Sequence, residues 1–143
     1  MSAQKTHSEL KVENLCMTYR TEDGTEVHAL EDINFSMNEG NLVVVVGPSG
    51  CGKTTLLNTI AGFLTPTRGR IMLDDQVITR PGAERGVVFQ KGALFEWLTV
   101  YENAIFGLRM RGVAEAKARQ RVMDYLDLVG LTDFVDTPIY NLS

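Results

Sequence analysis

The sequence contains little cysteine, histidine or tryptophan: two Cys, two His and one Trp among 143 residues. Two thiols without a pairing pattern and two distant histidines provide neither a disulfide framework nor a zinc-spaced ligand set. We expect Cys16 and Cys51 to be free thiols in a reducing compartment. Basic residues are not in excess either, with 14 Lys and Arg against 18 Asp and Glu. This balance argues against nucleic acid as a partner, because phosphate backbones are bound by basic patches.

Long hydrophobic runs are also missing. The longest purely apolar run is residues 42–46, whereas a membrane-spanning helix needs about 20 residues. The first residues are polar and do not resemble a secretory signal. Apolar residues make up 44% of the chain, close to the usual globular share of about 45–50%, so the chain can bury a core. We expect one soluble, cytosol-like domain with a disordered amino terminus at residues 1–9.

The amino-terminal part predicts an antiparallel strand pair. Residues 10–19 and 27–37 mix β-branched, aromatic and polar side chains, and a turn-like Thr-Glu-Asp-Gly stretch separates them. Residues 42–46 have no polar face, which predicts a strand buried on both sides, as in a parallel sheet. Residues 70–78 indicate a strand or hairpin with a turn at Asp74 and Asp75. Residues 86–89 indicate a further short strand.

Three segments predict helices. Residues 53–63 carry apolar residues at helical spacing. Residues 99–111 begin with Thr99 and have Glu102 three positions on, the spacing of a capping box. Residues 114–129 end before Gly130, a typical helix stop. Their predicted buried stripe consists of Ala118, Val122, Tyr125, Leu126 and Val129.

A glycine-rich segment between the apolar run and the first predicted helix matches the pattern Gly, four residues, Gly-Lys-Thr. Strand before and helix after are the context that a phosphate-binding loop requires. The glycines permit backbone dihedrals closed to other residues, so successive amide N–H groups can point at one anion. The sequence therefore predicts a nucleoside triphosphate site. Its residues are Gly47, Pro48, Ser49, Gly50, Cys51, Gly52, Lys53, Thr54 and Thr55.

Each chemical role in this segment has a physical reason. A helix amino terminus adds free N–H donors and positive dipole potential. Lys53 would reach the β- and γ-phosphates, Thr54 would offer its hydroxyl to Mg²⁺, and Thr55 would hold the α-phosphate region. The alternative is a glycine-rich turn that caps the helix and binds no ligand.

Further segments carry a resemblance to a family. With the phosphate loop, they make the chain similar to the nucleotide-binding subunits of ABC transporters, and within these to importers for taurine, other sulfonates and nitrate. One departure is Phe95-Glu96-Trp97, where relatives often have Leu-Pro-Trp. The segments are Tyr19 at the end of the first strand pair, residues 29–35, residues 56–63, residues 81–90, residues 97–103, and Asn141-Leu142-Ser143 as the first residues of the family's signature sequence.

The resemblance implies the remaining site residues. Tyr19 would stack on adenine, and Gln90 would position Mg²⁺ and water. Lys53 and Gln90 would be the catalytic residues, with ATP and Mg²⁺ as cofactors and Thr54 and Gln90 as metal ligands. The region of residues 94–98 would line the groove that receives a short helix of the membrane subunit.

The implied fold is an α/β P-loop NTPase of ABC type in truncated form. It would combine an antiparallel β subdomain and part of a parallel-sheet core at about residues 10–90 with part of a helical subdomain at about residues 91–143. The resemblance covers only the first half of the family domain. It therefore leaves out the catalytic Glu and the switch histidine, which follow the signature.

The resemblance also implies partners. They are a second nucleotide-binding subunit, membrane permease subunits and a separate substrate-binding protein, with the chain in the cytoplasm, peripheral on the inner face of the cell membrane. The predicted function is the ATP-binding, energy-coupling subunit of an importer for taurine or related sulfonates. Two alternatives are a nucleotide-binding module without turnover and a P-loop small-molecule kinase. The kinase is disfavoured because Tyr19, Gln90 and the signature-like ending would then be coincidences.

Overall fold

The computed structural model describes residues 8–90 and 92–142. The chain forms two compact units, one ending at Val87 and the other beginning at Val88. None of the helices in the described part of the chain combines the length and the apolar character needed to cross a membrane. The predictions for residues 1–7 and for Ser143 lie outside the described residues.

The first unit contains a four-stranded antiparallel sheet. Its strands are β1 (Glu9–Arg20), β2 (Glu26–Asn38), β3 (Arg68–Leu73) and β4 (Gln76–Val77). They are ordered β2-β1-β3-β4. The predicted strand pair and the predicted hairpin are both confirmed. Asp74 closes the sheet at this end, because its carboxylate accepts hydrogen bonds from Ser8 Oγ at 3.0 Å and from the Glu9 amide at 2.9 Å.

Bulges let the long strands curve over the core. Asn14 and Asp32 have φ of 47° and 46°, in the left-handed region that Asn and Asp tolerate best among residues with a side chain. Asn34 ties the two bulges together. Its side chain accepts from the Asn14 amide at 2.7 Å and donates to the Asp32 carbonyl at 2.9 Å. This one amide side chain thus links the bulges that shift the register of β1 against β2 between Val12 and Met17.

Helix α1 (Lys53–Ala61) packs on this sheet. It ends at Gly62, whose φ of 84° is the left-handed conformation of a helix stop. The predicted helix over residues 53–63 is confirmed with a slightly earlier end. The apolar side chains of α1 and of the sheet form a common core, and their removal from water fixes α1 against the sheet. The core consists of Val12, Leu15, Met17, Leu30, Leu56 and Ile71.

Two predicted strands are not formed. Residues 42–46 form no strand and pair with none in the described ranges, and their exposure ranges from 45% at Val43 to 87% at Leu42. Residues 86–89 are irregular, and Val88 is 95% exposed. A strand needs a neighbour for its backbone hydrogen bonds. The prediction of a strand buried on both sides was wrong here because apolar composition cannot supply that neighbour.

The second unit is built on a helical hairpin of α2 (Val100–Met110) and α3 (Glu115–Leu128). The predicted capping box is confirmed: Thr99 Oγ1 accepts from the Glu102 amide at 3.2 Å, and the Glu102 carboxylate accepts from the Thr99 amide at 2.9 Å. Two short 3₁₀ helices, Thr132–Phe134 and Ile139–Asn141, follow. The buried residues of this unit are Val100, Ile105, Ala118, Val122 and Leu126.

The predicted stripe of α3 is too wide. Ala118, Val122 and Leu126 are buried, but Tyr125 and Val129 are 55% and 63% exposed. A helix that faces a complete core buries an apolar stripe about 100° wide. In this unit α3 packs against one neighbouring helix, α2, which covers a narrower stripe and leaves Tyr125 and Val129 exposed. The two exposed residues border a groove between α2 and α3.

The capping box should carry measurable stability. Replacing Thr99 by Ala removes the oxygen that satisfies the Glu102 amide, so we expect a loss of about 1 kcal/mol in the free energy of unfolding of the second unit. Amide hydrogen exchange in the first turn of α2 would measure it. Thr99→Ser keeps the hydroxyl and should exchange like the wild type. Equal protection in Thr99→Ala and wild type would contradict the assignment.

The unpaired apolar segment should make the chain associate. Residues 42–46 expose apolar side chains together with unpaired backbone groups, and such a segment can pair with the same segment of another chain. We expect Val44→Lys, at a side chain that is 70% exposed, to shift the chain toward monomer in sedimentation velocity. Lys117→Ala is the matched surface control. A wild-type chain that is monodisperse at all concentrations would refute this expectation.

Candidate functional site

The glycine-rich loop joins the unpaired apolar segment to α1. Gly50 and Gly52 have φ of 82° and 92°, which other residues adopt only with strain. The loop can therefore reverse direction within a few residues and arrive at the first turn of α1 directly.

Gly52 also brings the loop against the sheet. A Cβ on Gly52 would lie 2.3 Å from the Ala29 carbonyl oxygen and 3.1 Å from Leu30 Cδ2, so no larger residue fits there. Strand β2 thus fixes the point at which α1 begins. Sequence reasoning missed Ala29 as a positioning residue. The glycine directly before Lys53 was the signal for a close backbone approach.

The ammonium group of Lys53 lies inside the loop. Its Nζ donates to the Gly47 carbonyl at 2.8 Å and to the Pro48 carbonyl at 2.6 Å, and it lies 3.5 Å from Cys51 Sγ. The loop backbone therefore wraps around one positive charge. A Cβ on Gly47 would lie 2.7 Å from Cys51 Sγ, so a larger residue there would require the exposed Cys51 side chain to rotate away.

The amino terminus of α1 faces the same loop. The helix starts at Lys53 without a capping side chain and without an acidic residue in its first turn. Its first amides are thus available as donors, and the positive end of the helix dipole is not neutralised. Together with the ammonium group, they favour a bound anion at this point.

The two threonines differ in their surroundings. Thr54 is exposed, and Thr55 is half-buried. The Thr55 carbonyl accepts from Thr59 Oγ1 at 2.7 Å within α1. The Thr54 hydroxyl can therefore meet a ligand or a hydrated cation, whereas Thr55 is built into the helix.

The donor set fits a phosphate group. Residues 47–55 contain one ammonium group, two hydroxyls besides Ser49, several amides and no carboxylate. Such a set binds anions, and its hydroxyl can join the coordination of a hard cation that a phosphate brings with it. In the described residues no group of His, Cys, Asp and Glu could hold a metal ion alone.

Tyr19 and Gln90 belong to other segments of the chain than the glycine-rich loop. Tyr19 is near the end of β1, paired in register with Val27, and its side chain is 40% exposed. Gln90 is an exposed residue in the first stretch of the second unit. The structure gathers residues 47–55 around Lys53, and the roles of Tyr19 and Gln90 stay predictions.

A group of aromatic rings stands in the second unit. The Phe95 ring centroid is 5.4 Å from that of Trp97 and 4.6 Å from that of Phe106. Asn103 holds Phe95 to α2, accepting from the Phe95 amide at 2.8 Å and donating to its carbonyl at 3.0 Å. Trp97 nevertheless exposes 78% of its side chain. An aromatic ring fixed at its base and open at its tip is the usual form of an interface anchor.

Curated relatives include two taurine import ATP-binding proteins named TauB. The protein of Pelagibacter ubique is 55% identical over 136 residues, which are 95% of this chain and 51% of that protein. The protein of Roseobacter denitrificans is 49% identical over 134 residues, 94% of this chain and 50% of that protein. The chain thus spans about half the length of these relatives.

Solved structures agree with this likeness. A dimeric ATP-binding cassette, MJ0796, in a post-hydrolysis state bound to ADP and Pi, matches with a TM-score of 0.81 at 28% identity. The match covers 94% of this chain and 63% of that one. A component of an ABC transporter complex, cbiO1 from Clostridium perfringens, matches with a TM-score of 0.71 at 34% identity, covering 94% of this chain and 55% of that one.

These matches confirm the α/β fold class of ABC type expected from the sequence. The family described as ABC transporter also matches the chain directly, over residues 30–143. That match includes the phosphate loop, α1 and the helical hairpin. The chain therefore belongs to the ABC transporter family.

Proposed function

We propose that this chain is the nucleotide-binding part of an energy-coupling subunit that powers import of taurine or a related sulfonate. The observation that carries the proposal is the loop around Lys53. It concentrates an ammonium group, free helix amides and glycine backbone at one point, in a chain with close relatives named for taurine import.

ATP is the nucleotide that the loop would hold. The Lys53 ammonium can move from the Gly47 and Pro48 carbonyls to phosphate oxygens, because carbonyl oxygens and phosphate oxygens both accept hydrogen bonds from an ammonium group. Amides of the loop and of the first turn of α1 would neutralise the remaining phosphate charge. Binding would thus exchange hydrogen bonds from the ammonium group to neutral carbonyl oxygens for hydrogen bonds to phosphate oxygens, in which both partners are charged.

Mg²⁺ would bind together with the phosphates. Thr54 presents an exposed hydroxyl, and Gln90 would supply an amide oxygen when it reaches the site. Both are oxygen ligands of the kind that Mg²⁺ prefers. Tyr19 would hold the base through its partly exposed ring, since stacking on an aromatic side chain is worth about 1–3 kcal/mol.

The complete protein would hydrolyse ATP to drive transport. The bound nucleotide supplies the phosphoryl group, and the loop residues hold and orient it, which is the main task of a protein in phosphoryl transfer. A second nucleotide-binding subunit is the proposed partner, and the dimeric state of the cassette MJ0796 supports it.

The membrane permease subunits would dock on the exposed rings near residues 94–98. Trp97 and Leu94 expose 78% and 55% of their side chains there. This contact would hold the chain on the cytoplasmic side, peripheral on the inner face of the cell membrane. A separate substrate-binding protein would deliver the taurine from the opposite side.

A nucleotide-binding chain without turnover is the second candidate. The glycine-rich loop supplies donors for a nucleotide but no carboxylate that could position an attacking water, since residues 47–55 contain neither Asp nor Glu. The resemblance places the catalytic Glu and the switch histidine beyond the signature residues, outside this sequence. Membership in the ABC transporter family argues against the small-molecule kinase.

Removing the ammonium group should weaken nucleotide binding. We expect Lys53→Ala to raise the dissociation constant of MgATP by at least about tenfold, since charge-assisted hydrogen bonds to phosphate are lost. Calorimetric titration of the full chain would measure this. Lys117→Ala removes an exposed lysine of α3 and should bind like the wild type. Identical titrations of Lys53→Ala and wild type, both with native circular dichroism, would refute the phosphate role.

Hydrolysis should be absent in the chain alone. Binding requires only the loop, whereas turnover also requires a residue that positions the attacking water. We therefore expect phosphate release no faster than in Lys53→Ala, followed with a phosphate-binding fluorescent sensor. A steady rate that Lys53→Ala abolishes would show that residues 1–143 suffice for catalysis.

A further inference from the structure

We infer that His28 and Thr67 are positioning residues for nucleotide binding. They hold Thr18 from two sides and thereby fix the direction in which the ring of the next residue, Tyr19, points. The inference rests on the base-stacking role proposed above for Tyr19, and it adds the residues that orient the ring. All of the contacts lie within the first unit.

The first strand pair changes its register directly before Tyr19. Met17 of β1 pairs with Leu30 of β2, and the next residue of β1, Thr18, pairs with His28. The residue of β2 between these two partners is left without a partner on β1, which defines a β-bulge. The register of the strand end that carries Tyr19 is therefore set at this bulge.

The bulge decides which face of the sheet each side chain occupies. Successive residues of a strand point to opposite faces. Met17 points into the core shared with α1, so Thr18 points away from the core and Tyr19 points back to the core side, where 40% of it is exposed. A slip of one residue would turn the side chains of a strand to the other face. The register thus keeps the Tyr19 ring on the side of the sheet where α1 begins.

The side chain of Thr18 provides the link to β2. Its hydroxyl and Nδ1 of His28 are hydrogen-bonded to each other at 3.0 Å. The amide and the carbonyl of one residue in an antiparallel strand point to the same neighbouring strand, and in Thr18 both point to Thr67. The contact of Thr18 with β2 therefore depends on the cross-strand pair of side chains.

The hydroxyl of Thr67 holds Thr18 from the other side. The register of β1 with β3 ends at the pair Cys16 and Arg68. Thr67 precedes β3 and continues the ladder by one step, because its amide donates to the Cys16 carbonyl at 2.9 Å. Its Oγ1 then accepts from the Thr18 amide at 2.9 Å. The backbone of Thr18 is thus fixed to the β3 side by a single hydroxyl group.

The phosphate loop is anchored at the same bulge by different atoms. The unpartnered residue of the bulge is Ala29, and its carbonyl oxygen would lie 2.3 Å from a Cβ on Gly52. Leu30, which is 6% exposed, fixes this point of β2 in the core. Neither contact uses the imidazole of His28 or the hydroxyl of Thr67. These two groups should therefore affect binding of the base and leave binding of the phosphates unchanged.

Two ligands separate these effects: MgATP, and magnesium tripolyphosphate, which has the phosphates but no base. We expect His28→Ala and Thr67→Ala to raise the dissociation constant of MgATP about three- to tenfold, because a ring of variable direction stacks less well. Calorimetric titration of the full chain should show unchanged binding of magnesium tripolyphosphate. Tyr19→Ala should weaken MgATP binding at least as much, and adding His28→Ala to it should cause no further loss.

Conservative and control variants test for a merely structural effect. Thr67→Ser keeps the hydroxyl and should bind MgATP like the wild type. Glu31→Ala changes an exposed residue of β2 outside the contacts of Thr18 and should also bind normally. Equal losses for both ligands in His28→Ala and Thr67→Ala, or a further loss when His28→Ala is added to Tyr19→Ala, would overturn the inference.

Failure of this inference is distinguishable from failure of the phosphate site. If MgATP binds equally well to the wild type, Tyr19→Ala and His28→Ala, the inference is wrong, while weakened binding in Lys53→Ala would still support the phosphate site. Identical titrations of Lys53→Ala and wild type with both ligands, or a wild-type chain that binds neither ligand, would refute the phosphate site and this inference with it.

Discussion

The hydrogen bonds from the Lys53 ammonium to the Gly47 and Pro48 carbonyls are the interaction on which the proposed phosphate site depends. They close the loop on itself and keep its positive charge at the start of α1. Gly52 makes the arrangement possible by letting the loop touch the Ala29 carbonyl on β2. Sheet, loop and helix are therefore packed together, and a phosphate would enter a loop that already holds the Lys53 ammonium, which would exchange its carbonyl partners for phosphate oxygens.

The features that sequence reasoning predicted are those encoded within a few residues. Thr99 and Glu102 form the capping box because both partners lie in one turn. The phosphate loop was likewise recognisable because its glycines and its lysine are contiguous. Its support by Ala29 could not be predicted in the same way, since that contact joins residues far apart in the sequence and depends on how β2 packs.

The features that it missed depend on neighbours. Residues 42–46 have the composition of a buried parallel strand, yet the described chain supplies no strand beside them, and hydrogen bonds between strands cannot be read from one strand. The prediction that Tyr125 and Val129 are buried was wrong for a related reason. They continue the apolar period of α3, but α2 covers only part of that face, and the remainder borders the groove between α2 and α3. In both places the sequence showed which residues are apolar, but it did not show whether another part of the described chain packs against them.

Amide chemical shifts of the isotope-labelled chain during titration with MgATP test the central claim most directly, because they report on each loop donor separately. We predict that the largest changes fall on the amides of Gly50, Gly52, Lys53 and Thr54, with little change around Arg121 and Tyr125. Saturable binding that shifts amides elsewhere and leaves these four unchanged would contradict the phosphate site.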